Sequence, residues 1–201
     1  MSGASGAYFD GLYRDSDDPY GLRVRWYEGR KRSLLLAALP RPRYRRGYEP
    51  GCGVGELTAA LAQRCDELLA SDMSGIAVEI ATERLRGLRN VRVERQTLPD
   101  DWPFAAGPFD LIVLSELGYF LDQHDMDAVA QACRRSLSND GTLVGCDWRP
   151  EFEERVQPTE SVHAALSSLG LPLVVRHEED DFLLQVWTAD GRSVAQDEGI
   201  R

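Results

Sequence analysis

The chain has 201 residues, 43% apolar and 28% charged, which is a single domain's worth of globular composition and excludes wholesale disorder. Its longest strictly apolar run, residues 34–39, is too short for a transmembrane helix. Residues 1–10 show neither the basic stretch nor the apolar core of a secretory signal, so a cytoplasmic location is expected. Asp plus Glu is 33 against 23 for Lys plus Arg, a net charge of −10, which disfavours nucleic acid and anionic membranes and favours cationic ligands. Arginine supplies 22 of the basic residues and lysine one, a skew that reads as codon bias rather than as a binding signal.

In chain order, residues 1–19 are rich in Gly, Asp and Ser with scattered aromatics, and residues 21–39 read as a helix closed by Pro40. Together residues 1–40 are expected to form an N-terminal lid segment and helix, residues 41–189 the main domain, and residues 190–201 a flexible tail. A short strand over 43–49 is followed by a Gly-rich turn, and Leu57, Ala60 and Leu61 recur at helical spacing. Residues 67–71 read as a strand stopped by Asp72, Ala77, Ile80, Ala81 and Leu85 as a helix face, and residues 91–94 as a strand. Residues 109–115 hold a continuous apolar run, the signature of a central parallel strand covered on both faces.

Met126, Val129, Ala130, Cys133 and Leu137 form an amphipathic stripe, and Asp140-Gly141 punctuates before a strand over 142–146. Val162, Ala165, Leu166 and Leu169 mark a last helix. Residues 173–177 and 182–188 read as a hairpin around an acidic turn. The alternation predicts an α/β fold: Rossmann-like and doubly wound, with a seven-stranded mostly parallel sheet, a C-terminal antiparallel hairpin and helices on both faces. Ligand crevices in such sheets lie at the carboxyl ends of the strands, here after Glu49, Asp72, Ser115 and Cys146. The four cysteines, at 52, 65, 133 and 146, form no Cys-x-x-Cys pair, have no His at zinc-ligand spacing, and read as buried free thiols.

The strongest chemical signal is Glu49-Pro50-Gly51-Cys52-Gly53-Val54-Gly55-Glu56, between a strand and a helix. Glycines let the chain turn sharply and let a ligand approach the backbone. The helix start offers unpaired N–H groups. A dinucleotide fold needs G-x-G-x-x-G, and Glu56 stands where the third glycine belongs, so a nicotinamide-dependent oxidoreductase is disfavoured.

An acid followed by x-G-x-G-x-G, Asp72 closing the second strand, the stretch from Phe109 to Glu116, and Asp140-Gly141-Thr142-Leu143 together resemble the class I S-adenosylmethionine-dependent methyltransferases over residues 20–188. The resemblance implies S-adenosyl-L-methionine as cofactor, with S-adenosyl-L-homocysteine as product. It implies a cofactor loop of Gly51, Cys52, Gly53 and Gly55, with Glu49 near the methionine amino group or bracing the loop. Asp72, with Met73 beside it, would hold the ribose hydroxyls, the alternative being a helix cap that Ser74 can supply. Gln96, Thr97 and Leu98 are the candidates for adenine, with the N–H of Thr97 or Leu98 facing the ring. Ser115 stands where methyl and acceptor meet.

Tyr8-Phe9-Asp10, Asp18-Pro19-Tyr20, Trp26-Tyr27-Glu28, Arg30-Lys31-Arg32 and Ser115-Glu116-Leu117-Gly118-Tyr119 resemble a narrower group, the nodulation protein S-like family around the rhizobial nodulation-factor N-methyltransferase. That group methylates an amino group on a sugar or oligosaccharide backbone. It carries a His before the Trp that follows the fifth strand, whereas this chain has Asp147-Trp148. The resemblance implies N-methylation of a small molecule or amino sugar by in-line displacement. An O-methyltransferase and a non-catalytic cofactor binder are the alternatives.

Glu116 is then expected to hold or deprotonate the acceptor, or else to cap a helix or pair with an arginine; Tyr119 is expected to share the catalytic site with it. His163 is a substrate contact or base, or a structural helix histidine. Arg30-Lys31-Arg32 reads as a solvated helix face, or as a lid contact through Arg30 or Lys31. The Glu-x-x-Glu-His-His pattern of metal-dependent relatives is missing at Glu116-Leu117-Gly118-Tyr119-Phe120, so no metal is expected. The expected partner is a small-molecule acceptor, with no nucleic acid or membrane, and the chain as monomer or homodimer.

Overall fold

The apolar run at Phe109–Ser115 forms β4, at the centre of the sheet. Leu111 and Val113 face one core with Leu35 and Leu61, while Ile112 and Leu114 face the other with Met126, Val129 and Val162. Burying such a side chain contributes about 1.5–3 kcal/mol, which is why a strand with two apolar faces takes the middle. This is a computed structural model describing residues 5–201; the first four residues of the expected lid segment lie outside it.

Around β4 stand β1 (Tyr44–Pro50), β2 (Cys65–Asp72), β3 (Val91–Arg95), β5 (Leu137–Trp148), β6 (Leu173–Glu178) and β7 (Phe182–Thr188). The sheet order is β3-β2-β1-β4-β5-β7-β6, parallel through β5, with β7 antiparallel to both β5 and β6. The strand order reverses direction between β1 and β4, so the crevice opens above their carboxyl ends. The helices are α1 (Gly6–Asp15), α2 (Trp26–Ala38), α3 (Glu56–Leu61), α4 (Gly75–Leu85), α5 (Gln123–Ser136), α6 (Thr159–Ser167) and α7 (Val194–Asp197). Among the described residues no helix is long and apolar enough to cross a membrane.

Four elements differ from the sequence reading. The segment before residue 19 contains α1, capped by Ser5, whose Phe9 and Tyr13 pack with Val54 and Ala77. The helix expected from residue 21 begins at Trp26, because the Asp18 carboxylate accepts the N–H groups of Leu22 (2.7 Å) and Arg23 (3.0 Å) and holds a turn there. The Asp140-Gly141 signal is an irregularity inside β5: Phe109 pairs with Leu137 but Leu111 pairs with Thr142. The tail carries α7, which has a capping box between Ser193 and Gln196.

The turn after β4 is wedged against α6. A Cβ on Gly118 would lie 2.3 Å from Val162 Cγ1. Gly118→Ala is therefore expected to destabilise the protein by about 1–3 kcal/mol, read as a lower urea midpoint with an unchanged slope. An unchanged midpoint would contradict the packing described.

Candidate active site

A cavity of about 770 Å³ opens at the carboxyl ends of β1, β2, β4 and β5, under α1 and the start of α2. Along one end runs the Gly-rich turn. Gly53 has φ +52°, and a Cβ there would lie 3.0 Å from Tyr13 Oη, so no larger residue fits without movement. Gly55, at φ +81°, starts α3 and faces Leu85 and Ala81; it shapes the turn without lining the cavity.

The turn is tied to β2. Cys52 N–H donates to the Ser71 carbonyl (2.9 Å) and Gly53 N–H to Asp72 Oδ2 (2.9 Å). Ser74 N–H donates to Asp72 Oδ1 (2.9 Å), and the Ser74 hydroxyl caps α4 at Ala77, so Asp72 is free of the capping role. Each Asp72 oxygen keeps acceptor capacity toward the cavity, which Asp72 and Met73 both line. Burial pushes the Asp72 carboxyl above its ordinary value, opposed by the N–H groups of Ser74, Gly53 and Met73.

Glu49, near the end of β1, stands at the cavity wall, 2% exposed, and its Oε2 has no hydrogen-bond partner among the described residues. Burial pushes its carboxyl up to about 8; the Thr58 hydroxyl opposes that and nearby Asp72 adds to it. A buried acid with an orphaned oxygen in a cavity wall is a place for a donor or cation from a ligand.

The end near β3 narrows the adenine candidates. Gln96 is committed at both ends of its amide, accepting from Tyr48 Oη (2.9 Å) and donating to Glu94 (3.1 Å). Thr97 N–H donates to Asp101 Oδ2 (2.9 Å), which leaves Leu98 N–H as the candidate without a partner among the described residues. Thr97 and Leu98 both line the cavity.

At the end of β4, next to Ser115, Glu116 has φ +58°, a left-handed conformation uncommon for a non-glycine residue. The strain is held by four hydrogen bonds. Glu116 N–H donates to the Cys146 carbonyl (2.9 Å). Its Oε2 accepts from Tyr119 Oη (2.6 Å) and Trp148 N–H (2.9 Å), and its Oε1 accepts from Lys31 Nζ (2.5 Å). Burial and the Glu116 carboxylate push the Tyr119 phenol well above its ordinary value.

The sequence reading of Lys31 as solvated is corrected here. Lys31 is 6% exposed, 3.1 Å from Glu28 Oε2, and 4.9 Å from the ring centroid of Tyr27. Burial alone would lower its pKa, but Glu116 and Glu28 outweigh that and hold it above the usual lysine range, so it stays cationic. Arg30 instead reaches Glu179 with two bonds, 2.8 and 2.7 Å.

His163 is the second correction: it does not line the cavity. Its side of α6 packs onto the sheet, with Nδ1 2.8 Å from Gln185 Oε1 and Nε2 beside buried Asp147 at 3.2 Å, off the hydrogen-bond line. Sequence reasoning missed Glu154, a cavity-lining residue that accepts from Tyr8 Oη (2.6 Å) and ties α1 to the loop after β5. Nothing in the residues around 149–158 signals that role. Among the described residues the lining holds eight acids against three bases, so its charge favours cations.

A Rossmann-like sheet with a glycine turn tied to the acid closing β2 is the arrangement that the resemblance to methyltransferases implies. Residues 48–141 match a family model described as a methyltransferase domain. The chain belongs to the class I S-adenosylmethionine-dependent methyltransferases. It is 48% identical to a candidate methyltransferase from Pseudomonas syringae, with a TM-score of 0.73 over 82% of this chain and 99% of that one. It is 26% identical to the N-methyltransferase NodS from Bradyrhizobium japonicum, solved in complex with S-adenosyl-L-homocysteine, with a TM-score of 0.78 over 90% of this chain and 97% of that one. It is 27% identical over 123 residues to the methyltransferase nsrG of Aspergillus novofumigatus, covering 61% of this chain and 46% of that protein. The chain thus spans less than half the length of the curated relatives it matches.

Proposed function

We propose that the protein transfers the methyl group of S-adenosylmethionine to an amino group of a small molecule or amino sugar. The observation that carries the choice of acceptor is the excess of carboxylates lining the cavity, with Glu28 and Glu116 brought together by Lys31 at the end of β4. The likeness to an N-methyltransferase supports it.

Asp72 holds the ribose, Leu98 N–H faces the adenine, Glu49 meets the methionine ammonium, and Gly51, Cys52 and Gly53 let that end approach the backbone. The acceptor docks as an ammonium and gives one proton to Glu116; the bound sulfonium supplies an electrophilic methyl, and the lone pair so freed on nitrogen forms the N–C bond as the C–S pair leaves with sulfur. A carboxylate has about four acceptor directions, and three donors use three of those on Glu116. The fourth direction, and the one on Oε1 that Lys31 gives up as the acceptor docks, take acceptor N–H groups and orient the amine. Phe9 and Tyr13 of α1 exclude water from above. Alignment of this kind supplies about 7–11 kcal/mol in favourable cases.

The test is release of S-adenosylhomocysteine with glucosamine, ethanolamine and their N-acetylated or hydroxyl counterparts. Release is expected with the amines and at least about tenfold less when the amine is blocked. Glu116→Gln is expected to lower kcat while S-adenosylhomocysteine affinity stays within about twofold. Turnover of hydroxyl but not amino acceptors contradicts the proposal. No turnover alongside tight cofactor binding points to a non-catalytic binder.

A further inference from the structure

The Lys31 contacts have the form of an ammonium-recognition site: two carboxylates, at 2.5 Å and 3.1 Å, and an aromatic face at 4.9 Å. All four residues line the cavity, next to Ser115 at the end of β4. The occupant is the protein's own primary ammonium, on a flexible four-carbon stem. Tyr27 Oη, buried beside it, has no hydrogen-bond partner among the described residues.

A cation needed only to neutralise two carboxylates would be supplied as well by arginine. Arginine is what the chain uses at its other 22 basic positions, as where Arg84 meets buried Glu56. Guanidinium is a planar fork, whereas a lysine ammonium is a compact point charge that mimics an alkylammonium. The one lysine of the chain is thus the one basic residue seated in this cage.

We propose that Glu28, Glu116 and the face of Tyr27 form the docking subsite for the acceptor's ammonium, and that Lys31 occupies it as a tethered surrogate until the acceptor displaces it. This rests on the amine-methylating reading above. The tether gives the surrogate an effective concentration on the order of millimolar, so only an acceptor with further contacts displaces it. Between acceptors, the exchange keeps both carboxylates paired, which a buried charge requires.

The experiment compares the wild type and Lys31→Met, each saturated with S-adenosylhomocysteine, for binding of methylammonium, with methanol as the neutral control. Removing the surrogate is expected to tighten methylammonium binding at least tenfold and to leave methanol unaffected. Equal or weaker binding, or no binding to either protein, overturns the proposal. The variant's affinity for S-adenosylhomocysteine reports its fold and shows separately whether the cofactor reading holds.

A second measurement needs no variant. Lysine labelled with ¹⁵N gives a single side-chain resonance, because Lys31 is the only lysine. Methylammonium is expected to move it in the S-adenosylhomocysteine complex. A resonance unmoved at saturating methylammonium overturns the proposal even if Lys31→Met fails to fold.

Discussion

Asp72→Ala is expected to weaken S-adenosylhomocysteine binding at least about 100-fold while the protein stays folded. Two hydroxyl hydrogen bonds to one carboxylate contribute about 1.5–3 kcal/mol each, so losing both removes about 3 kcal/mol or more. The variant also frees Gly53 N–H, which the carboxylate now accepts at 2.9 Å, and so loosens the turn that the cofactor's methionine end approaches. Asp72→Asn keeps an acceptor for Gly53 and loses only the charge, so its loss is expected to be the smaller. Titration calorimetry measures both. Alanine and asparagine variants that bind as the wild type does would remove Asp72 from the site.

The second large effect is at Glu49. Its carboxyl sits at about 8 in the folded chain against an ordinary value of 4.5. Below about pH 4.5 the group is protonated in both folded and unfolded states and has no effect on stability. As pH rises toward 8 the unfolded chain ionises it and the folded one does not, so stability falls, and above 8 the full cost of the buried charge remains. At 1.36 kcal/mol per unit, that cost is roughly 3–5 kcal/mol. Glu49→Gln is therefore expected to stabilise the ligand-free protein at pH 8 and not at pH 4.5, read by urea unfolding at both.

The same group links binding to protons. The cofactor's ammonium favours the charged carboxylate, so at pH 7 the wild type is expected to release nearly one more proton than Glu49→Gln on binding S-adenosylhomocysteine. Calorimetry in buffers of different ionisation enthalpy reads the difference. Equal release from both proteins contradicts the contact between Glu49 and the ammonium.

The sheet was legible in the sequence because its strands carry their own pattern: an apolar run for β4, and turn residues closing β1 and β2. The glycine turn was legible because positive φ and close approach leave few substitutes for glycine. The helix α1 was not, because Gly6 and Gly11 and its acids hide a buried face of only Phe9 and Tyr13. The start of β5 was not, because Asp140-Gly141 marks a turn locally, and only pairing with β4 carries the strand through it.

At the site, residue type identified Glu49, Asp72 and Glu116 as candidates, but not which backbone donor near the adenine is free. That depends on Asp101 reaching back to Thr97 N–H. His163 drew attention as a titratable residue on a helix near the sheet edge, yet the rotation of α6 turns it onto Gln185 and Asp147. Lys31 carried the opposite signal. Three cations in a row read as solvated and the arginine skew as codon bias, so nothing local showed that Lys31 is buried between Glu28 and Glu116.

The most direct measurement is calorimetric titration of the wild type with S-adenosylhomocysteine, with NADH and NADPH as comparators. A saturable, one-to-one response to S-adenosylhomocysteine and none to the nicotinamides is predicted. No response to S-adenosylhomocysteine, or a preference for a nicotinamide, would contradict the assignment of the glycine turn and of every contact built on it.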